Sequence, residues 1–238
     1  MHRFFASPEQ FQAGRVLLDR ESLDHLRVLR LGAKEQFIIC DGAGTDYRCV
    51  LAGNTAEIVS QSENEAEPNI HCTVYLAYAK GERLDYAIQK SVELGAWAIG
   101  LFPTARCVVK YDDKSLAKKR IRWEKIAQEA AKQSGRGKIP PVTPISDYKT
   151  AMSQAAQADL PLFFYENESK TSLRRVLDEN PNFQTASLVI GPEGGFTEEE
   201  AALAQESGLR SVTLGKRILR CETAPAAALA ALMFYTDS

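Results

Sequence analysis

From residue 71 onward, short apolar runs alternate with segments of helical periodicity. Runs typical of strands stand at residues 72–79, 98–103, 160–166, 187–191 and 211–215. Helical spacing of apolar residues follows these runs along the chain. Strands that alternate with helices build a largely parallel sheet with helices on both faces. The pattern therefore predicts an α/β fold with a mostly parallel sheet for this part of the chain.

The first 70 residues have a different pattern and predict a small, mostly β domain. Two β-type runs flank Asp41–Gly44, which is a hairpin signature, and residues 54–60 add another strand. A single helix is indicated here, with Ser22 as its N-cap and Gly32 at its end. We therefore expect two domains, 1–70 and 71–238, and the acidic, polar residues 62–69 are interpreted as the linker.

Charge and cysteine usage limit the class of protein. The net charge of −2 gives no general attraction to nucleic acid, so any such binding depends on a local patch. Residues 1–18 lack the apolar core of a signal peptide, and no stretch reaches the length of a membrane span. The five cysteines and three histidines are scattered without metal-ligand spacing. We expect a cytoplasmic protein with reduced thiols and no metal.

A glycine-rich turn at Gly191–Gly195 follows one predicted strand and precedes an acidic helix. The turn lacks the Lys-Ser/Thr ending of a P-loop and the GxGxxG spacing of a dinucleotide loop. Thr197 and Glu200 predict a capping box, and the helix start carries three glutamates that would repel a phosphate. The turn therefore favours a neutral or cationic ligand with an adenosine-like body.

A second glycine loop lies closer to the carboxyl terminus. Gly215 ends a predicted strand, an irregular loop follows, and Thr223 is expected to cap a final helix with Pro225 in its first turn. That helix is apolar nearly all round through Tyr235. A helix without a polar face must be covered, either by the core or by another subunit.

The two loops together resemble the ribosomal RNA small subunit methyltransferase E family, within the SPOUT class. The resemblance is carried by LVIGPEGGFTEEE followed by LGKRILRCETAPAAALAAL. MHRFF, DHLRVLRLG, KGERLDYAIQKSVELG and AAKQSGRGKIP extend it over nearly the whole chain. The family usually has Thr where Cys221 stands, commonly an acidic residue where Ala105 stands, and often Glu where Lys132 stands.

The resemblance implies S-adenosylmethionine-dependent methylation of N3 of one uridine in the 16S rRNA of the small ribosomal subunit. It further implies a SPOUT-type α/β domain tied in a trefoil knot, a PUA-like β-barrel domain that binds RNA, and a homodimer. Two alternatives stay open. One is a related SPOUT enzyme that methylates a ribose 2′-hydroxyl or another base, and the other is a non-catalytic RNA-binding protein of ribosome assembly.

Methylation at N3 requires loss of the N3 proton, because the neutral imide is a weak nucleophile. A cation that stabilises the anionic uracil, or a group that accepts the proton, is therefore needed. Arg220 is the leading candidate for the first role, since its guanidinium stays charged and presents a planar fork. Glu193 and Glu222 are candidates for accepting the proton or orienting the cofactor. Glu222 has a second interpretation, in which it pairs with Arg220 or joins Thr223 at the helix start.

Cys221 suggests covalent catalysis, as in C5-methylation of pyrimidines. Because N3 chemistry needs no covalent adduct, we interpret this cysteine as a small buried residue instead. The cofactor pocket is expected to use main-chain groups of both loops and the end of the strand at 160–166, since glycines allow a close approach. The predicted cofactor-binding residues are Phe164, Tyr165, Gly191, Pro192, Gly194, Gly195, Leu214, Gly215, Ile218, Leu219 and Thr223.

Positive charge is concentrated between residues 103 and 140, where basic residues exceed acidic ones by seven. Such an excess is typical of phosphate contacts that position RNA, although a charged helix face is often only solvated. Further candidates lie in the first domain and around the first helix of the second domain. The predicted RNA-binding residues are Arg3, Arg27, Arg30, Lys80, Arg83, Lys90, Arg106, Lys118, Lys119, Arg120 and Arg136.

Overall fold

The computed structural model describes residues 1–32 and 34–236, which form two compact units. The chain enters the first unit twice, because a short segment from the middle of the sequence packs with the amino-terminal residues. The first unit comprises Met1–Glu67 and Ala131–Ile139, and the second comprises Pro68–Ala130 and the chain from Pro140 onward.

The first unit is built on a six-stranded sheet with one α-helix. The strand order is β1-β4-β5-β6-β3-β2, in which β1 is parallel to β4 and every other pair is antiparallel. The unit is mostly β, as predicted. Its elements are β1 (Arg3–Phe5), a 3₁₀ turn (Pro8–Gln10), β2 (Phe11–Gln12), β3 (Arg15–Leu17), α1 (Arg20–Val28), β4 (Gln36–Cys40), β5 (Thr45–Ala52) and β6 (Thr55–Glu63).

Apolar side chains from the strands and from α1 form the core of the first unit. Phe37 and Ile39 of β4 are fully buried together with Val16, and the ring of Phe4 packs edge-on against Phe37. Leu26 supplies the buried face of α1. Alternation of buried and exposed residues along these strands is what a sheet with one covered face requires.

Three sequence predictions need correction in this unit. The helix begins at Arg20, because the carboxylate of Asp19 accepts the N–H of Ser22 at 2.7 Å and so acts as the N-cap. It ends at Val28, before the predicted stop. The predicted linker begins too early, since Ser62 and Glu63 still belong to β6.

The second unit is an α/β layer structure, as predicted. Its sheet has the order β12-β10-β11-β7-β8-β9, and every pair is parallel. The last residues of α3 belong to the first unit. The elements are β7 (His71–Ala77), α2 (Glu82–Glu93), β8 (Ala98–Phe102), α3 (Asp113–Ser134), β9 (Val142–Pro144), α4 (Tyr148–Ala155), β10 (Leu160–Phe164), α5 (Leu173–Glu179), β11 (Thr185–Ile190), α6 (Glu198–Glu206), β12 (Arg210–Val212) and α7 (Thr223–Thr236).

The strand order determines where a ligand can bind. Chain order runs outward from β7 through β8 to β9 on one side, whereas β11, β10 and β12 lie on the other. Ligands of open parallel sheets bind outside the carboxyl ends of the strands, where such a change of direction occurs. In register, Phe164 lies beside both Ile190 and Val212, so β10, β11 and β12 end together.

The start of α6 agrees with the sequence prediction, whereas the start of α7 differs from it. The Thr197 hydroxyl accepts the N–H of Glu200 at 3.1 Å, and the Glu200 carboxylate accepts the N–H of Thr197 at 2.9 Å, which is the predicted capping box. Thr223 is the first residue of α7 rather than its cap. The prediction that α7 is covered is met on one face only within the described chain, since Phe234 is 81% exposed.

Five short elements have no counterpart in the sequence predictions, namely β1, β2 and β3 in the first unit and β9 and α4 in the second. Three residues of strand and eight of helix offer too few apolar repeats for the periodicity to be recognised. Among the helices of the described ranges, none combines the length and the apolar character that crossing a bilayer requires.

Candidate active site

A cleft of about 460 Å³ opens at the carboxyl ends of β10, β11 and β12. Two loops form most of its wall: the first loop, Gly191–Gly195, follows β11, and the second loop, Thr213–Glu222, follows β12. The structure thus brings the two glycine loops together, as the sequence predicted. Thr223 alone of the predicted cofactor residues does not line the cleft. Those that do are Phe164, Tyr165, Gly191, Pro192, Gly194, Gly195, Leu214, Gly215, Ile218 and Leu219.

The glycines of the first loop are required by contacts with other parts of the protein. A Cβ on Gly191 would lie 3.0 Å from the ring of Phe196, and one on Gly195 would lie 1.8 Å from Glu166 Oε1. Gly195 also has φ +66°, a conformation that other residues rarely adopt. The sequence interpretation, in which these glycines admit a ligand, therefore misses their role in packing the loop.

Arg106 and Glu166 hold the first loop from two sides. The Arg106 guanidinium donates to the carbonyl of Gly194 at 3.0 Å, and Glu166 Oε1 accepts the N–H of Phe196 at 3.2 Å. Arg106 Nη1 lies 3.9 Å from the same Glu166 oxygen. Arg106 was predicted to bind RNA, but its guanidinium is engaged with the backbone of the cleft.

Glu193 is held by the segment that follows β7. Its Oε1 accepts the N–H of Lys80 at 2.9 Å and a hydrogen bond from Arg83 Nη1 at 3.0 Å. Burial opposes ionisation of Glu193, but these donors outweigh it and hold the pKa of the carboxyl below its usual value. Glu193 is therefore a carboxylate at neutral pH and a weak proton acceptor.

The second loop has few internal ties. Thr213 Oγ1 donates to the carbonyl of Gly215 at 3.2 Å, and Gly215 has φ +108° with open space where a Cβ would stand. Ile218 lines the cleft although 77% of its surface is exposed. Its predicted role in the pocket stays a prediction, in which a ligand would remove this apolar surface from water.

Arg220 presents an exposed guanidinium at the wall of the cleft. Its backbone carbonyl accepts the N–H groups of Thr223 and Ala224, both at 2.9 Å, which anchors the start of α7. Within the described residues, its side chain makes no hydrogen bond or ion pair. The alternative in which Glu222 pairs with Arg220 is therefore not what the structure contains. Glu222 instead faces Arg83, with Arg83 Nε 3.9 Å from its Oε1.

Cys221 is half-buried in the same wall. Burial and the neighbouring Glu222 carboxylate, which lies 3.3 Å from the thiol, raise the pKa of Cys221 to about 12. The thiolate is the nucleophilic form of cysteine. The environment therefore disfavours covalent catalysis by this residue, in agreement with the sequence interpretation.

The charges that line the cleft balance. Three arginines and three glutamates contribute to its wall, so that the cleft has both cationic and anionic sides. Such a surface suits a ligand that itself carries charges of both signs. The lining charges are Arg83, Arg217, Arg220, Glu166, Glu193 and Glu222.

Two of the predicted RNA-binding residues are buried in ion pairs of the first unit, which corrects their assignment. Arg3 forms a bidentate ion pair with Asp46, in which Nη1 and Nη2 donate to Oδ1 and Oδ2 at 2.5 and 2.7 Å. The Arg136 side chain is 2% exposed and pairs with Glu67 at 2.7 Å. Guanidinium groups so enclosed have little surface left for a phosphate. Arg136 instead connects residues 131–139 to Glu67.

The other predicted RNA-binding residues lie at the surface with different partners. Arg27 pairs with Asp24, Lys90 with Glu93, and Arg120 with Glu124. Lys118 and Lys119 lie near the start of α3, where Lys118 is exposed and Lys119 is half-buried. Within residues 1–32 and 34–236, the predicted RNA-binding side chains with neither hydrogen bond nor ion pair are Arg30, Lys80, Lys118 and Lys119.

Sequence reasoning missed the roles of Glu166 and Arg83 in the cleft. Glu166 is the second residue after β10, at the edge where parallel sheets bind ligands, so its position alone could have indicated its role. Arg83 lies in the first turn of α2, and no sequence signal distinguishes it from a surface arginine. Over residues 1–32 and 34–236, no group of three His, Cys, Asp or Glu side chains is arranged to hold a metal ion.

Comparison with known proteins places these features in context. Residues 66–233 match the family described as the RNA methyltransferase domain, and residues 18–59 match the RNA methyltransferase PUA domain. The ribosomal RNA small subunit methyltransferase E of Bacillus subtilis (strain 168) is 36% identical over 230 residues, which cover 91% of this chain and 89% of the relative.

Two solved structures are similar over nearly the whole chain. A ribosomal RNA small subunit methyltransferase E from Neisseria gonorrhoeae, bound to S-adenosyl methionine, has a TM-score of 0.85 at 36% identity and covers 98% of this chain and 97% of its own. A methyltransferase from Legionella pneumophila, in complex with the cofactor SAM, also has a TM-score of 0.85, at 32% identity, with coverages of 97% and 96%.

Proposed function

We propose that this chain, which belongs to the ribosomal RNA small subunit methyltransferase E family, methylates N3 of a uridine in 16S rRNA with S-adenosylmethionine as methyl donor. The observation that carries the proposal is the pairing of two glycine loops around one cleft at the ends of β10, β11 and β12. The family membership and the related structures bound to the cofactor support the same reaction class.

The residues of the cleft fit this cofactor. About 460 Å³ is within the range of small-molecule sites, and the main-chain groups of the two loops supply donors and acceptors for an adenine edge. Glu166 and Glu193 offer negative charge for cationic groups, and Arg217 offers positive charge for a carboxylate. When bound, the cofactor supplies an electrophilic methyl group from its sulfonium.

Arg220 is assigned to stabilise the anionic uracil. Its guanidinium lines the cleft and has no competing partner within the described chain, so it is available to a pyrimidine oxygen. We expect Arg220→Ala to abolish turnover while the affinity for S-adenosylmethionine stays close to that of the wild type. Lys216→Ala is the matched control, because Lys216 is an exposed cation of the same loop that does not line the cleft. Wild-type turnover by Arg220→Ala would remove this residue from the mechanism.

Glu222 is the better candidate of the two glutamates for accepting the N3 proton. Glu193 has a depressed pKa because Lys80 and Arg83 donate to it, so it suits an orienting role. Among the described residues, the partners of Glu222 are Arg83, at 3.9 Å, and the Cys221 thiol. We expect Glu222→Gln to lower kcat more than Glu193→Gln does, measured with saturating cofactor.

The lysines at the start of α3 are proposed to contact rRNA phosphates. Lys114 and Lys118 are one helical turn apart, and Lys119 lies beside them. Lys118→Glu combined with Lys119→Glu should weaken rRNA binding and flatten its dependence on salt concentration. Lys149→Glu, an exposed charge reversal on α4, is the control. Equal affinities of the three proteins across a salt titration would contradict the proposal.

The wider setting is also proposed from the family. We infer that the chain acts as a cytoplasmic homodimer on the small ribosomal subunit, that the first unit contributes RNA contacts, and that the second unit carries the trefoil knot of the SPOUT class. The exposed apolar face of α7, which includes Phe234, supports an interface between subunits, because large apolar surface favours burial.

Nucleoside mass spectrometry tests the reaction. rRNA from cells that lack this protein should lack 3-methyluridine, and complementation should restore it. Loss of a 2′-O-methylated nucleoside or another methylated base would favour the related SPOUT activity. An unchanged set of modified nucleosides, together with no binding of S-adenosylmethionine in calorimetry, would favour the non-catalytic assembly protein.

A further inference from the structure

Arg83 lies between the two loops of the cleft. It stands in the first turn of α2, and its side chain is 41% exposed. Its Nη1 donates to Glu193 of the first loop at 3.0 Å, and its Nε lies 3.9 Å from Glu222 of the second loop. One guanidinium therefore approaches a carboxylate from each loop.

We propose that Arg83 is a positioning residue that holds the two loops at the separation the cofactor needs. The inference rests on the proposed function, since it takes the cleft to be the S-adenosylmethionine site. The sequence predicted RNA contact for Arg83, and the structure assigns it to the cleft instead. A planar guanidinium with several donors can engage two carboxylates at once, which an ammonium group does less well.

The two loops are connected to one another through Arg83. Within the described ranges, no hydrogen bond runs directly from the first loop to the second, whether between backbone atoms or side chains. Over residues 1–32 and 34–236, Arg83 is the one side chain that lies within 4 Å of a carboxylate from each loop. Lys80 strengthens the arrangement, because its N–H fixes the Glu193 carboxylate from the same segment of chain.

Removal of the guanidinium leaves two carboxylates without the cation that lies within 3.9 Å of both. Glu193 and Glu222 are only 22% and 18% exposed at their side chains, so water screens their repulsion incompletely. Like charges placed in this way favour a wider separation of the loops. The expected result is a cleft that binds its cofactor less tightly, with the chemistry of the bound complex less affected.

Calorimetry with S-adenosylmethionine and steady-state kinetics test the inference. Arg83→Ala should raise the dissociation constant and the KM for the cofactor by about tenfold, the loss that corresponds to one charge-assisted hydrogen bond. kcat at saturating cofactor should fall by less than KM rises. Arg83→Lys, which keeps the charge but not the fork, should recover part of the affinity. Thermal unfolding of each variant identifies any loss that comes from the fold itself.

A double-mutant cycle separates clamping from general weakening of the site. Glu193→Gln removes one of the clamped carboxylates, so Arg83→Ala should cost clearly less affinity in that background than in the wild type. Arg122→Ala is the matched control. Arg122 pairs at 2.8 Å with Asp85, which lies in α2 as Arg83 does, but it contacts neither loop. Its substitution should therefore leave cofactor affinity unchanged.

The outcomes distinguish this inference from the proposed function. A wild-type protein that binds no S-adenosylmethionine would overturn the proposed function, and the inference with it. A wild-type protein that binds while Arg83→Ala binds equally well would overturn the inference alone. Strictly additive losses in the cycle would also overturn it, because a clamp requires coupling between Arg83 and Glu193.

Discussion

The two loops of the cleft are built in opposite ways. The first loop is fixed by Lys80, Arg83, Arg106 and Glu166, which reach it from three other segments of the chain. The second loop is exposed from Gly215 to Ile218, and its nearest anchor is the turn at Arg220 that starts α7. A loop with three glycines among its five residues thus forms a tightly packed wall on one side, and a loop with the single glycine Gly215 forms an open wall on the other.

Glycine is required for a different physical reason in each loop. In the first loop, a side chain is excluded because protein atoms occupy the space where it would stand. In the second loop, the space is open and the requirement at Gly215 is conformational. Substitutions that add a single methyl group should therefore have different costs in the two loops.

Gly195→Ala should have the largest effect. The added Cβ would stand 1.8 Å from Glu166 Oε1, so either the carboxylate or the loop must move. We expect affinity for S-adenosylmethionine to fall about 100-fold, because overpacking costs about 1–3 kcal/mol and the left-handed conformation costs a residue with a Cβ about 1–2 kcal/mol more. Calorimetry measures it. Gly208→Ala is the control, because Gly208 has φ +98° at the end of α6 but contacts nothing near its Cβ and does not line the cleft.

Gly215→Ala should have an intermediate effect. Its φ of +108° disfavours alanine, and no atom lies within 4 Å of the added methyl group. We expect a loss of affinity of about tenfold, since the left-handed region costs a residue with a Cβ about 1–2 kcal/mol. A loss as large as that of Gly195→Ala would show that the two walls are packed alike, contrary to the comparison.

Acidification should have a smaller effect, and it should act through the first loop. The pKa of Glu193 lies below its ordinary value of 4.5, so the contribution of its ion pair is fully present above pH 4.5 and is lost as the pH falls further. From about pH 6 to 9, Glu193 stays ionised and should contribute no pH dependence to the cofactor affinity, which calorimetry at constant ionic strength measures. Glu193→Gln serves as the control, and an inflection near neutral pH that disappears in this variant would contradict the assignment.

Cys221→Ser should have the smallest effect. With its pKa raised to about 12, the thiol stays protonated at pH 8 and takes no part as a nucleophile. We expect kcat within about twofold of the wild type, because the substitution keeps a small polar group beside Glu222. Complete loss of activity in a folded variant that still binds the cofactor would restore the covalent hypothesis.

Much of the architecture could be predicted from the chain itself. Alternating apolar runs and helical periodicity gave the parallel sheet, and the Thr197 and Glu200 pair gave the start of α6. The hairpin at Asp41–Gly44 joins β4 to β5, as predicted. These features depend on neighbours within a few residues, which a linear pattern records.

Contacts between residues that are distant in the sequence could not be predicted from these local patterns. Positive charge alone suggested RNA contact for Arg106 and Arg136, but each is engaged within the protein by a partner more than 60 positions away in the sequence. The positioning role proposed for Arg83 was missed for the same reason, because it depends on Glu193 and Glu222, which are distant in the sequence. The knot is a further case, because the path of one segment through another leaves no periodic trace, and it stays a prediction.

The re-entry of residues 131–139 into the first unit has a consequence for how this protein is made. Glu67 accepts hydrogen bonds from Arg136, Gly137 and Lys138, so its carboxylate lacks these donors until that stretch has been synthesised. We expect an amino-terminal fragment cut at the apparent boundary to be poorly stable on its own. During translation, this unit should complete its fold only after half of the polypeptide has left the exit tunnel.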